Sequence, residues 1–342
     1  MRMTILAALI GAAAVVAGMS PAAAGTLDDI KAKGYLQCGV NPGLPGFGNP
    51  DAQGNYTGID VDYCKALAAA VFGDASKVKY TPLDAKERFT ALQSGEVDVL
   101  IRNTTWTMSR DTQLGFIFSV VNFYDGQGIM VKKSLVDQGV KSVKDLDGAS
   151  ICVQAGTDTE FNLADYFKHH NITYKPVVQE KQTDSLATYD QGRCDAYTTD
   201  KSGLYASRLT LKNPDDNVIL PETLSKEPLG PVVRNGDVQW ADVVKWTHFA
   251  LLDAEELGVT KANVDDMLKS DNPSIQRLLG VSGDFGKSLG LSKDWARQII
   301  QAVGNYGEIY DRNVGKDSPL KIDRGLNNLW NNGGLQYGMP IV

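Results

Sequence analysis

The sequence predicts an α/β protein built as two similar lobes, each around a mainly parallel sheet. Three observations carry this. The chain has 342 residues, which at about 150 residues per domain points to two folding units. Short β-type runs alternate with amphipathic helical stretches along most of its length. The pattern of strand, polar loop and helix that runs from Tyr35 to Arg110 then recurs from Val143 to Asp200.

Composition narrows the class further. Apolar residues make up 43%, charged residues 22% and aromatics 8%, enough for sizeable cores and unlike a disordered or low-complexity chain. Lys plus Arg is 34 against Asp plus Glu 41, a formal charge of −7, so no basic field exists to concentrate nucleic acid. Small solutes or other proteins are the expected partners.

The N-terminus reads as an export signal. Arg2 lies in a short positive region, Ile5 to Ala17 is apolar, and Ala22-Ala23-Ala24 offers an A-x-A cleavage site, so residues 1–24 are expected to be removed. Gly18, Ser20 and Pro21 interrupt the run well short of the roughly 20 residues a membrane span requires. No Cys at the cleavage point offers lipid attachment. The mature protein is therefore expected in an exported, oxidising compartment, where cysteines pair. Four cysteines allow three connectivities. They fall along the chain as Cys38 with Cys64 and Cys152 with Cys194, and closing either loop restricts the unfolded chain by about 3–4 kcal/mol. A metal site is not expected, because no C-x-x-C occurs and His169, His170 and His248 include only an adjacent pair.

In the first unit, Tyr35 to Val40 reads as a strand, Asn41 to Pro50 as a Pro/Gly-rich loop, and Tyr63 to Phe72 as a helix closed by Gly73. Val78 to Tyr80 is a strand, a helix around Phe89 and Leu92 ends near Gly95, and Val97 to Ile101 is a buried strand. The polar run from Arg102 to Arg110 follows at its C-terminal end, the edge where ligands bind in open α/β sheets. In the second unit, Ser150 to Gln154 is a strand, and Thr157 with Glu160 forms a capping box opening a helix whose N–H groups suit a carboxylate. Tyr174 to Val178, the helix Ser185 to Gln191 and the strand Cys194 to Thr198 continue the pattern. Asp200 lies just past that strand, either as a plain helix cap or as part of a site shared with Thr157. The glycine-containing run Asp125 to Val131 connects the two units.

Several segments resemble the periplasmic solute-binding proteins of polar amino-acid ABC transporters, in particular the general and glutamate/glutamine/aspartate/asparagine L-amino-acid receptors. They are Gly58 to Asp62, Leu92 to Asp98, Thr107 to Arg110 as T-x-x-R, Lys144 to Gly148, Gln154 to Thr157 and Gly307 to Tyr310. The likeness runs in order from about residue 27 to 315. It implies a periplasmic binding protein-like fold of type II: two α/β lobes joined by a two-segment hinge, with a C-terminal extension on lobe 1. Lobe 1 is expected over 25–127 and 229–342, lobe 2 over 131–224, and the hinge segments near 126–131 and 225–230. The cysteine pairs then fall one per lobe, since a disulfide between lobes would oppose closure. The stretch 259–294 is an apparent insertion, and 316–342 a tail expected to pack on lobe 1 through Leu326, Leu329 and Trp330.

The resemblance also implies roles. Arg110 matches the arginine that grips the ligand α-carboxylate, a bidentate task suited to guanidinium. Thr105 matches a position adding a hydroxyl, and Asn103 one offering its carbonyl to the α-ammonium. Thr157 matches a lobe 2 residue closing on the carboxylate through its N–H, with Asp158 beside it, and Asp200 an acid pairing with the α-ammonium. Asn41, Leu44 and Ala85 depart from the glutamine-specific pattern, and the smaller Leu44 and Ala85 leave room for bulky or varied side chains. Arg102 is expected to read a side-chain carboxylate or amide of a glutamate-like ligand; the alternative is a rim salt bridge to Glu87 or Asp98. The resemblance implies an L-amino acid as ligand, an ABC permease with its cytoplasmic ATPase as partner, a periplasmic monomer, and no cofactor, metal or nucleic acid. Catalysis is not expected: no histidine falls in the inferred cleft loops, no G-x-S-x-G occurs, and nothing in the sequence pairs Glu87, Asp158 or Asp200. The competing classes are a dehydratase-like enzyme on the same fold and a soluble chemosensory receptor.

Overall fold

The computed structural model describes residues 25–342, and the expected signal segment lies outside them. The chain forms two lobes, each around its own sheet. The first sheet has the order Val78–Pro82, Leu36–Val40, Val99–Leu100, Val232–Arg234, Phe116–Phe118. The first three strands run parallel, whereas Val232–Arg234, contributed from far along the chain, is antiparallel to both its neighbours. The second sheet has the order Asn217–Ile219, Phe123–Lys132, Ala196–Asp200, Ala149–Gln154, Tyr174–Gln179, with the last three parallel.

The long strand Phe123–Lys132 joins the two. Its first residues pair with Lys226–Leu229, the returning chain segment, while Gln127 to Val131 pair with Asp200 to Ala196. The two connecting segments are thus hydrogen-bonded to each other as an antiparallel ribbon.

Local chemistry explains where the elements begin. The helix expected from Tyr63 starts at Ile59 and runs to Phe72. Gly58 permits this: at φ 137° it lies so close to Phe47 that a Cβ would stand 1.9 Å from the Phe47 carbonyl oxygen. Asp60 and Asp62 then face the positive end of the helix dipole. The strand expected from Cys194 is shifted to Ala196–Asp200; just before it, Asp195 Oδ2 takes the Ser150 N–H at 2.7 Å and the Ser150 hydroxyl at 2.6 Å, bonds from a side chain where a backbone ladder would otherwise continue.

Cys38 is bonded to Cys64, tying the first-sheet strand Leu36–Val40 to the helix over it; Cys152 is bonded to Cys194 within the second lobe. The largest core joins that helix with Val238–Glu256 and Trp295–Val303, and residues of 259–294 such as Val264, Ile275 and Leu278 belong to it. The tail packs differently from expectation. Leu329 is buried, but Leu326 and Trp330 point largely to solvent. Leu320 joins Leu329 in the core, Arg324 pairs with Glu255 at 3.0 Å, and two buried amides add anchors: Asn327 bonds both backbone groups of Tyr124, and Gln336 meets His248 and the Val121 carbonyl.

Candidate functional site

The polar run after Ile101 folds against the returning connection. The Gly230 N–H donates to the Thr104 carbonyl at 3.0 Å and the Trp106 N–H to the Pro228 carbonyl at 2.8 Å. Asn103 takes a left-handed backbone, φ 34°, which Asn tolerates. Its N–H donates to Asp60 Oδ2 at 3.0 Å, and its side-chain oxygen accepts from Asn41 Nδ2 at 3.1 Å. Arg110 lies in a π-helical turn, Ser109–Gln113, and is buried. Its Nη1 donates to the Thr105 carbonyl at 2.9 Å, which aims the guanidinium across the gap at the other lobe.

On that side Thr157 caps the helix Asp158–His169, accepting from the Glu160 N–H at 3.3 Å. The reciprocal half of the expected box is displaced by one residue, because Glu160 accepts from Gly156 rather than from Thr157. Asp158, the first helical residue, meets Arg110 Nη2 at 3.0 Å. Lys86 and Glu180 form a second contact between the lobes, at 2.7 Å.

Asp200 precedes the helix Lys201–Leu209 but makes no side-chain cap bond, so the plain cap role does not apply. It is buried, and desolvation followed by the charges of Asp125, Glu227 and Asp158 pushes its pKa well above the usual carboxylate range. Asp158 behaves oppositely. Burial raises its pKa, yet Arg110, with the neighbouring Glu227 and Thr105 side chains and Arg88, outweighs burial and holds it below the ordinary value.

Three groups of the site were not singled out from the sequence. Glu227, fully buried on the returning strand, accepts from Thr105 Oγ1 at 2.6 Å and from Asn162 Nδ2 at 2.9 Å. It also neighbours Asp158, so that acid does have a carboxyl partner. Arg88, 2% exposed, donates to Thr104 Oγ1 at 3.3 Å, while its Nε has no partner. Burial, then the charges of Arg110 and Arg102, lower its pKa well below the guanidinium norm. Asp125, on the crossing strand, accepts from Ser202 and is raised to about 6, mainly by burial. A lone acid before Pro228 and an arginine opening a helix carry no pattern that separates them from surface residues.

Arg102 is buried and donates through Nε to the Leu83 carbonyl at 2.8 Å; it pairs with neither Glu87 nor Asp98. Desolvation brings its pKa to about 10, against the opposing charges of Asp84 and Asp60. Leu44 belongs to the first-lobe core with Phe47 and Phe123. The structure therefore brings Thr105, Arg110, Asp158 and Glu227 into one bonded cluster, with Arg88 and Asp200 in its field. Asn41 and Asn103 form a neighbouring pair on the first lobe.

Two α/β lobes with a polar, charge-lined seam between them and two connecting segments beneath it define a solute-binding architecture. The chain belongs to the bacterial extracellular solute-binding proteins, family 3, whose model matches residues 36–335. It is 63% identical to the general L-amino acid-binding periplasmic protein AapJ of Rhizobium johnstonii over 100% of both chains. It is 58% identical to the glutamate/glutamine/aspartate/asparagine-binding protein BztA of Rhodobacter capsulatus over 96% of each. A solved ABC transporter periplasmic binding protein from Brucella ovis, with glutathione bound, superposes with a TM-score of 0.92 at 64% identity, covering 93% of this chain and 100% of that one.

Proposed function

We propose that this chain is the solute-binding component of an ABC importer. It takes an L-amino acid, or a γ-glutamyl compound, between its lobes, closes on it and delivers it to a membrane permease. The single observation that carries this reading is the arrangement around Arg110: a buried guanidinium held by the Thr105 carbonyl and aimed at the opposite lobe. Such a fork suits the two oxygens of a carboxylate. The ligand carboxylate takes the place that Asp158 Oδ1 now occupies. The α-ammonium goes to Asp200 and its acidic neighbours, so both ends of the zwitterion are satisfied only when the lobes meet.

Selectivity in this reading comes from Arg88 and Arg102. The Arg88 Nε is a buried donor without an acceptor, a costly state that a side-chain carboxylate of glutamate or aspartate relieves. Lobe 1 comprises 25–127 and 229–342, lobe 2 131–224, and the ribbon of Phe123–Lys132 with Lys226–Leu229 contains the hinge. Residues 1–24 direct export to the periplasm. The protein acts as a monomer without a cofactor.

The test is calorimetry on protein unfolded and refolded to strip ligand, titrated with the L-amino acids and glutathione. A ligand that binds only the native state also raises the unfolding temperature, so thermal shifts rank the same series. Failure of every amino acid to bind, or uptake unchanged in cells lacking the protein, overturns the proposal. Recovery of chemically altered ligand would point to an enzyme instead.

A further inference from the structure

Glu227 stands where all moving parts meet. It is fully buried on the returning strand Lys226–Leu229, with no solvent to share its charge. Its Oε2 accepts from Thr105 of the first lobe at 2.6 Å, its Oε1 from Asn162 of the second lobe at 2.9 Å, and Ser225 of its own segment donates to the same Oε1. These donors are hydroxyls and an amide, not cations. We propose that Glu227 is a positioning residue of the binding cleft, bridging both lobes and the connecting strand so that Thr105 and Arg110 of the first lobe and the helix opening at Asp158 are brought into register only when the cleft is shut. This rests on the amino-acid-binding reading above.

The charge pattern supports the assignment. Asp158 and Asn162 face Glu227 from the second-lobe helix, Thr105 faces it from the first-lobe loop, and Ser225 from the residue just before its strand. Arg110 is engaged with Asp158, and the field of Asp200 is shared by Asp125, Glu227, Asp158 and Arg88. A second full negative charge beside Asp158 has no cation to receive it. Burial and then Asp158 accordingly push Glu227 up to about 8, so it closes as a neutral acid beside the Asp158 carboxylate. In an open cleft, where water reaches it, an ordinary carboxyl is ionised at neutral pH. Closure then takes up a proton, and ligand affinity falls as pH rises toward and past 8.

The experiment measures the dissociation constant of L-glutamate by calorimetry from pH 6 to 9 for the ligand-stripped wild type, Glu227→Gln and Glu227→Ala. Wild-type affinity, divided by that of Glu227→Gln so that the ligand's own titration cancels, is expected to fall about tenfold between pH 7 and 9. Glu227→Gln, neutral in both states and still able to donate and accept, escapes the cost of protonation and should bind at least as tightly as wild type at pH 7; Glu227→Ala should lose tenfold or more throughout. Titrations in buffers of different ionisation enthalpy should give a net proton uptake, up to one per ligand, at pH 7 for wild type and none for Glu227→Gln. A flat wild-type to Glu227→Gln ratio, or unaltered binding by Glu227→Ala, overturns the role of Glu227 while leaving the binding function standing. Absence of glutamate and every other amino acid from the wild-type cleft overturns the binding reading itself, and this proposal with it.

Discussion

Arg110 Nη2 lies 3.0 Å from Asp158 Oδ1, so the guanidinium of one lobe holds a carboxylate of the other. Both side chains are largely buried, and the Asp158 Oδ2 has no hydrogen-bond partner. A ligand carboxylate and Asp158 compete for one cation. The pair keeps a fraction of the ligand-free protein closed, and a ligand displaces it rather than adding to it.

Asp158→Asn should therefore open the unliganded protein. Losing a charge-assisted bond shifts the open–closed balance by about 1.5–3 kcal/mol, roughly tenfold to a hundredfold. Small-angle scattering of the ligand-free variant should give a larger radius of gyration than wild type, returning to the wild-type value with saturating ligand. Identical ligand-free scattering curves would rule the latch out.

Arg88 predicts a trade between stability and binding. Its charge is buried, its Nε unpaired, and Arg110 and Arg102 repel it. Arg88→Met keeps much of the stem's packing and removes the charge, so the unfolding free energy should rise by about 1–2 kcal/mol, as replacing imperfectly compensated buried charge often does. Affinity for glutamate should fall by more than tenfold, and that for leucine much less. A destabilised variant with unchanged glutamate affinity would show that Arg88 is structural.

The contrast between Arg110 and Arg88 also shows what the sequence could and could not reveal. The alternation of strands and helices and the sheet-end position of Thr105, Arg110 and Asp158 were readable, because period, turn residues and strand ends are local; the pairing of the cysteines followed only from the family resemblance. Glu227 sits 122 residues from Thr105 in the chain, and its importance arises only when the returning strand is laid beside that loop. The same holds for the tail. Of Leu326, Leu329 and Trp330, only Leu329 enters the core, and the attachment is completed by Asn327 and Gln336, whose partners are backbone groups and a buried histidine that no periodicity marks.

That attachment has a measurable consequence. Asn327 Oδ1 accepts from the Tyr124 N–H at 2.7 Å, and Nδ2 donates to the Tyr124 carbonyl at 3.0 Å. One side chain thus serves as the missing neighbour strand at the start of Phe123–Lys132. Asn327→Ala leaves two main-chain groups of that strand without their partner and should cost about 2–4 kcal/mol in urea unfolding. Asn327→Asp, which cannot donate to the carbonyl, should recover part of this at most. A loss below about 0.5 kcal/mol for the alanine variant would mean that water replaces the amide freely.

The last prediction concerns acid stability. His248 is buried between Tyr63, whose hydroxyl lies 2.7 Å from Nδ1, and Gln336, whose Oε1 lies 3.1 Å from Nε2. Burial lowers its pKa from 6.5 to about 4, the Gln336 bond only partly opposing. The unfolded chain therefore binds this proton near pH 6.5, whereas the native protein refuses it until about pH 4. Across that window the unfolded state holds more protons, so stability contributed by this site is complete above pH 6.5 and is lost as pH falls, by about 3 kcal/mol in all. Asp60 and Glu227, raised by burial to about 7 and about 8, act in the opposite sense, losing stability as pH rises, and they are present in both proteins compared. The difference in unfolding free energy between wild type and His248→Gln isolates the histidine. It should be constant from pH 8 to 7 and shift by about 3 kcal/mol in favour of the variant between pH 6.5 and 4. Parallel stability curves over that range would mean that the imidazole is protonated in the native protein, with the Tyr63 hydroxyl and the Gln336 carbonyl accepting both of its protons.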